Sequence, residues 1–93
     1  MSKYVITKYS KEQANKLGVE ITPSSNPKKK IDVFKNGKKI ASIGAYGYGD
    51  FPTWTKIEGK TYADNKRRLY RLRHKGEEKA IGSNGYYAWK ILW

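Results

Sequence analysis

The dipeptide Asn36-Gly37 is the feature that most constrains the fold of this 93-residue chain. It stands between two runs in which apolar and polar residues alternate, Lys30–Lys35 and Lys38–Ile43. Asn and Gly both accept the positive φ angles of a type I′ turn, whose twist matches that of two antiparallel strands. We therefore predict a β-hairpin. Apolar residues occur at both odd and even positions of these two segments, and such positions point to opposite faces of a strand. Both faces of the hairpin are therefore predicted to be partly covered.

Short elements are predicted before the hairpin. Lys3–Thr7 alternates and contains β-branched residues, which favours a strand. Ser10 is followed three residues later by a glutamine, the pattern of a capping box, and predicts a helix over Lys11–Leu17 that ends at Gly18. The residues Val19–Thr22 can form a further short strand.

The second half of the chain predicts one longer helix. The segment Gly44–Asp50 contains three glycines and two tyrosines and predicts a tight irregular loop. Either Thr61 or Asp64 can cap a helix that runs through about Lys75 and ends at Gly76.

The last eight residues, Tyr86–Trp93, predict either a short helix or a buried strand, because periodicity over so few residues fits both. Together these patterns predict a single α+β domain over residues 1–93. It has a small antiparallel sheet, a short N-terminal helix, a basic helix and a Trp-rich C-terminal element. No stretch approaches the roughly 20 apolar residues of a membrane span, so none is expected.

The charge of the chain points to its partners. Twenty Lys and Arg residues against eight Asp and Glu residues give a net charge of +12. Such an excess predicts a polyanionic partner, which can be DNA, RNA, an acidic protein surface or an acidic lipid face. The alternative is that lysine only keeps a small protein in solution, but the cations are clustered, which favours binding.

The densest cluster lies in the predicted basic helix. Its candidate anion-binding residues are Lys66, Arg67, Arg68, Arg71, Arg73, His74 and Lys75. Leu69 and Leu72 share a helix face with Tyr62, so this stripe is predicted to pack and a broad face to stay basic. Like charges four residues apart oppose helix formation, and the planar arginine fork suits phosphate. The alternatives are a solvated face or internal pairing of the arginines with Asp50, Glu58, Glu77 and Glu78.

Two further groups are candidates. The hairpin region carries Lys28, Lys29, Lys30, Lys38 and Lys39. These lysines either bind an anion or protect a sheet edge from pairing. In the loop region, Tyr46, Tyr48 and Trp54 are candidates to stack on nucleic-acid bases. The alternative, which we favour, is that the two tyrosines fold inward to enlarge a small core.

Catalytic and metal chemistry find no candidates. The chain has no cysteine and a single histidine, His74, so neither a disulfide framework nor metal-ligand spacing is present. No cofactor and no small-molecule substrate are predicted. One enzyme class stays open, the small basic ribonucleases that use Lys, Arg, Tyr and His side chains.

Three motifs carry a family resemblance. They are Ile43-Gly44-Ala45-x-Gly47-Tyr48-x-Asp50-Phe51, Arg67-x-x-Tyr70-x-x-Arg73-His74-Lys75 and Gly85-Tyr86-x-x-Trp89-x-x-Leu92-Trp93. In this order they resemble an uncharacterised family of small basic proteins encoded by large DNA viruses of algae and amoebae and by some bacteriophages. The resemblance covers residues 30–93, and residues 1–29 look like an N-terminal strand-helix extension. The family has a longer Trp-containing segment where this chain has only Glu77–Asn84.

The resemblance implies a viral origin and supplies no catalytic residues. It also implies that Asp50 pairs with Arg67 or Arg73, and that Tyr70, Trp89 and Trp93 belong to the core. The leading expectation is a non-enzymatic, virion-associated structural protein. It would be a minor capsid or assembly component, or a genome-contacting one, that meets capsid protein, DNA or RNA in the virion and in the host cytoplasm or nucleus during assembly. The alternatives are a free, non-sequence-specific DNA- or RNA-binding protein and a toxin-like ribonuclease.

Overall fold

The computed structural model describes residues 4–93 and confirms the α+β class. Its helices are α1 (Lys8–Leu17), α2 (Phe51–Glu58), α3 (Lys60–Arg73) and α4 (Asn84–Leu92), with a 3-10 turn at Glu77–Lys79. Its strands are β1 (Glu20–Pro23), β2 (Lys29–Lys35) and β3 (Lys38–Ala45). The strands form one antiparallel sheet in the order β1-β2-β3.

The predicted hairpin is confirmed as the pair β2 and β3. Asn36 and Gly37 have φ angles of 53° and 77°, and Lys35 pairs with Lys38 directly across the turn. Both central residues of the turn thus lie in the left-handed region that a type I′ turn requires.

The core lies between one face of the sheet and α1 and α4. Ile31, Val33 and Ile43 of the sheet are fully buried, as is Ile91 of α4. Burying an aliphatic side chain of this kind stabilises a fold by about 1.5–3 kcal/mol. A buried hydrogen bond from the Ser10 hydroxyl to the Ile91 carbonyl, 3.0 Å long, joins the two helices.

The opposite side of β2 is also covered, as predicted from the apolar residues at both odd and even positions. Asp32 is almost completely buried there and accepts hydrogen bonds from the Ser24 hydroxyl at 2.6 Å and the Ser42 hydroxyl at 2.7 Å. Burial opposes ionisation of Asp32, but these bonds, with the Ser25 amide and the Lys39 charge, lower its pKa overall.

The N-terminal predictions need correction. Tyr4–Thr7 is not a strand, and Lys3 lies outside the described residues. The first helix begins at Lys8 instead of Lys11 because the Thr7 hydroxyl accepts from the Ser10 amide and caps it. The helix ends at Gly18, as predicted, in the left-handed conformation.

The helices of the second half also differ from the prediction. Helix α2 was not predicted, although Asp50 caps it and Pro52 lies in its first turn, which are two known start signals. Helix α3 begins at Lys60 after Gly59, not at Thr61 or Asp64, and ends at Arg73. The C-terminal segment, predicted as either a short helix or a buried strand, is helix α4, which the Ser83 hydroxyl caps.

Candidate polyanion interface

Helix α3 packs through a different face from the one predicted. Leu72 is 61% exposed, and Leu69 and Tyr62 are exposed as well, whereas Ala63 is fully buried. The side of α3 that carries Ala63 and Arg67 packs against α2, and the Arg67 guanidinium lies 3.9 Å from the centre of the Phe51 ring. A helix that the sequence pattern did not reveal therefore decided the orientation of α3.

Two predicted anion-binding residues turn inward as a result. Arg67 donates to Asp64 at 3.1 Å, which is on the same helix. Arg71 donates to the main-chain oxygen of Trp93 at 3.0 Å and lies over the Trp89 ring at 5.1 Å. Burial, followed by the nearby charge of Arg67, lowers the pKa of Arg71 below its ordinary value. Arg67 and Arg71 are therefore partly exposed, and each already contacts other residues of the fold.

The cations that α3 offers to solvent are fewer than predicted. Arg68, Arg73 and Lys75 are exposed, and Lys66 is partly exposed. Positions 66 and 73 are seven residues apart on the helix and span two turns of about 11 Å. Lys75 lies in the turn that follows Arg73, on the same side as Arg68. We call these four cations, on α3 and the turn after it, the α3 ridge.

A groove of about 420 Å³ runs along one side of this ridge, between the loop 44–50, α3 and α4. We call it the aromatic groove, because four aromatic rings from four parts of the chain line it together with four basic side chains, of which Lys30 is buried. These residues are Tyr48, Trp54, Tyr70, Trp93, Lys30, Lys66, Arg73 and His74.

A stack of three rings forms one part of the groove. The Tyr70 ring lies 4.5 Å from the Trp93 ring at an interplanar angle of 8°, and 4.2 Å from the His74 ring at 23°. The His74 Nδ1 atom contacts a Glu77 carboxylate oxygen. Burial, with a smaller contribution from the Glu77 charge, raises the pKa of Tyr70 to about 12. The expected place of Tyr70, Trp89 and Trp93 in the core is confirmed only in part: all three are partly buried, Trp93 packs against the core, and Tyr70 contacts both tryptophans outside it.

Trp54 is held on the other side of the groove. Its indole lies so close to Gly49 that a Cβ atom there would overlap the ring. Its centre is 5.2 Å from the Tyr62 ring, and the Lys66 ammonium is 5.4 Å from it. The side chain is therefore fixed by contacts from a loop and a neighbouring helix.

The prediction that the loop tyrosines fold inward is wrong. Tyr48 is 75% exposed and Tyr46 is 42% exposed. Of the three predicted stacking residues, Tyr48 and Trp54 line the aromatic groove and Tyr46 does not.

Asp50 has a different partner from either predicted arginine. Its Oδ2 atom accepts from the Lys30 ammonium and the Tyr4 hydroxyl, both at 2.8 Å, and its Oδ1 atom accepts from the Thr53 amide at 2.9 Å. Lys30 is only 4% exposed, so it is not a surface anion-binding residue. Burial and the Asp50 charge raise the pKa of Tyr4.

The second predicted cluster is divided. The strand register places Lys29 opposite Ala45, at the far end of the hairpin from the Lys35–Lys38 pair. Seven strand residues span about 20 Å, so Lys28 and Lys29 lie well apart from Lys38 and Lys39. The hairpin lysines do not form one surface.

Within residues 4–93, no group of three or more His, Asp or Glu side chains is arranged to hold a metal ion. In the same residues, no helix has the length and apolar character needed to cross a membrane. The described chemistry is that of a basic ridge beside an aromatic groove.

No family model, curated protein or solved structure matches this chain. The resemblance to small basic viral proteins therefore stays a prediction. The α3 ridge and the aromatic groove are the observations on which a function can be proposed.

Proposed function

We propose that this protein is a non-enzymatic binding protein that holds nucleic acid by its phosphate backbone, with the α3 ridge as the contacting surface. One observation carries the proposal. Arg68, Arg73 and Lys75 are exposed, and no carboxylate among residues 4–93 lies within ion-pair distance of any of them. The carboxylate that α3 itself carries, on Asp64, is already paired with Lys60 and Arg67.

Phosphate is the anion that this surface suits. Arg68 and Arg73 offer planar forks of N–H donors, which match two phosphate oxygens at once. A row of such donors along a helix releases condensed counterions when it meets a phosphate backbone, and this gain does not depend on base sequence. The four accessible cations of the ridge therefore favour backbone binding over reading of the sequence.

Salt dependence tests the proposal. Neutralising four phosphates gives a slope of about −3 to −4 for log affinity against log salt on duplex DNA. We would measure binding of fluorescently labelled duplex and single-stranded oligonucleotides by anisotropy, between about 50 and 200 mM salt.

A matched pair of variants locates the surface. Arg68→Gln with Lys75→Gln removes two ridge cations and is expected to make the slope shallower by about 2. Lys11→Gln with Lys16→Gln removes the same charge from exposed positions on α1 and is expected to change it little. Equal losses in the two variants would show that only the net charge matters and would refute the ridge as the site.

We propose the virion as the setting of this function, with the protein as a structural component that contacts the packaged genome or the capsid. The order of the three sequence motifs supports this setting. Mass spectrometry of purified particles tests it, and absence of the protein from them would refute it. Presence in particles without affinity for nucleic acid would point to an acidic capsid surface as the partner.

RNA cleavage is a second candidate function, because Arg73 and His74 line the aromatic groove side by side and Glu77 contacts the His74 ring. A histidine oriented by a carboxylate is a common general base. Cleavage of labelled RNA that disappears in both His74→Ala and Arg73→Ala would establish it. Intact RNA after incubation with the unaltered protein would exclude it.

A further inference from the structure

We infer that the aromatic groove binds an unpaired nucleotide of a single nucleic-acid strand, with its base against the Tyr48 ring and its phosphate on Lys66 and Arg73. This inference rests on the proposed function, since the strand is first held by the α3 ridge. It adds a preference that the ridge alone would not have, namely one for bases that are free of a complementary strand.

The size and position of the groove suit such a ligand. Its volume of about 420 Å³ lies within the range of roughly 300–1,000 Å³ that small-molecule sites occupy. Lys66, Leu69 and Arg73 of α3 form one of its sides. A strand bound along the ridge therefore passes the mouth of the groove.

The rings of the groove differ in how they are held, and this assigns their roles. Tyr70 and Trp93 already stack on each other with nearly parallel planes. Trp54 is fixed between Gly49, Tyr62 and Lys66. Tyr48 instead stands 75% exposed on the loop. Its ring is the surface that a base can cover.

The charged side chains of the groove suit the phosphate of a nucleotide. The carboxylate that lines it, on Asp50, is buried and already accepts from Lys30, Tyr4 and Thr53. Lys66 and Arg73 line the same groove with no ion pair to a described residue. The groove therefore presents a net positive edge beside an apolar ring, which is how sequence-tolerant single-strand sites combine phosphate and base contacts.

A duplex cannot use this groove in the same way. Its bases are stacked and paired, so their faces are not available to a side chain without unpairing. Single strands expose those faces, and base–aromatic stacking tolerates any base. The structure thus favours single-stranded over duplex ligands at equal phosphate number.

Three oligonucleotides with the same number of phosphates separate base contacts from phosphate contacts: a single-stranded pyrimidine strand, a duplex of half its length, and an abasic strand. Tyr48→Ala is expected to weaken binding of the pyrimidine strand about 5- to 150-fold, the range found when a stacking ring is removed. The same variant is expected to bind the abasic strand and the duplex as tightly as the unaltered protein.

Tyr46→Ala is the matched control, because it removes the same ring from the same loop at a position that does not line the groove. Running the measurement with deoxyribose and ribose strands distinguishes DNA from RNA as the preferred source of the nucleotide. Circular dichroism and thermal melting of both variants establish that they are folded.

The outcomes separate this inference from the proposed function. If the pyrimidine, abasic and duplex ligands bind with equal strength, and Tyr48→Ala matches Tyr46→Ala, the groove inference is overturned while the ridge stands. If no oligonucleotide binds even at low salt, both are overturned. Loss confined to Tyr48→Ala and to strands that carry bases supports the groove.

Discussion

Replacing Asp50 by alanine tests how the parts of the fold are joined. Its carboxylate is completely buried and binds two groups that are distant in the chain, Tyr4 and Lys30 of β2, as well as the first turn of its own helix α2 at Thr53. Removing it leaves the Lys30 ammonium buried without its partner and removes the cap of α2. We therefore expect Asp50→Ala to be among the most destabilising substitutions in the chain.

The magnitude follows from the burial of both charges. Breaking a buried ion pair by removing one partner costs about 3–5 kcal/mol, because the other charge stays desolvated. A domain of this length has a total stability of about 5–14 kcal/mol, at 0.05–0.15 kcal/mol per residue. The substitution should thus remove a large fraction of the stability, and lower the urea midpoint by roughly 1 M or more.

Urea unfolding, followed by tryptophan fluorescence, measures the loss. The matched control is Asp64→Ala, which removes an exposed carboxylate that is also paired with a lysine, Lys60. Exposed pairs are screened by water and salt, so the midpoint of this control should change little. A midpoint for Asp50→Ala that equals the control would refute the reasoning.

A double-mutant cycle isolates the pair itself. Lys30→Met leaves the Asp50 charge buried, whereas Lys30→Met with Asp50→Asn removes both charges and keeps a capping side chain for α2. The double variant should lose clearly less stability than the sum of the losses in Lys30→Met alone and Asp50→Asn alone. Strict additivity would show that the two side chains do not interact.

Three further predictions concern pH and packing. The pKa of Tyr70 is raised from 10.0 to about 12, because the folded state holds the protonated hydroxyl. Its contribution to the free energy of unfolding is therefore complete below pH 10 and is lost as the pH rises through 12. Unfolding measured across that range should show a smaller alkaline loss in Tyr70→Phe than in the unaltered protein, and identical pH profiles would contradict this. Asp32 has a lowered pKa, so it contributes stability above its unfolded value of about 3.9 that is lost as pH falls through the folded pKa. The stability of Asp32→Asn should therefore fall less at acid pH than that of the unaltered protein. An equal fall in both proteins would contradict this prediction. Gly49→Ala places a Cβ atom against the Trp54 indole, so we expect a loss of about 1–3 kcal/mol from overpacking and a shifted fluorescence maximum. Unchanged melting and emission would show that the indole can move at no cost.

Local features of the fold could be predicted because neighbouring residues encode them. The positive φ angles of Asn36 and Gly37 follow from the residue types themselves, since glycine lacks a Cβ atom and asparagine tolerates the left-handed region, so the hairpin needed no tertiary information. The end of α1 at Gly18 and the presence of a basic helix are local in the same sense. Helix α2 was missed even though its signals, Asp50 and Pro52, are local, because the preceding glycines and tyrosines suggested a continuing loop.

The candidate site could be predicted only in part. Arg68, Arg73 and Lys75 are exposed as expected, and Tyr48 and Trp54 line one groove. The inward turn of Arg71 could not be predicted from the sequence, since it depends on the approach of Trp93, which follows the last residue of α4.

The α+β class, the hairpin turn, the cationic helix and the excess of positive charge could all be derived from the amino-acid sequence. Packing of the elements against one another decided which face of α3 is exposed and which cations stay accessible. It also decided that Asp50 pairs with Lys30 instead of an arginine. The physical reason is that burial depends on contacts between residues far apart in the chain. Periodicity shows that a helix has two faces, but the free energy of packing against α2 and α4 selects between them.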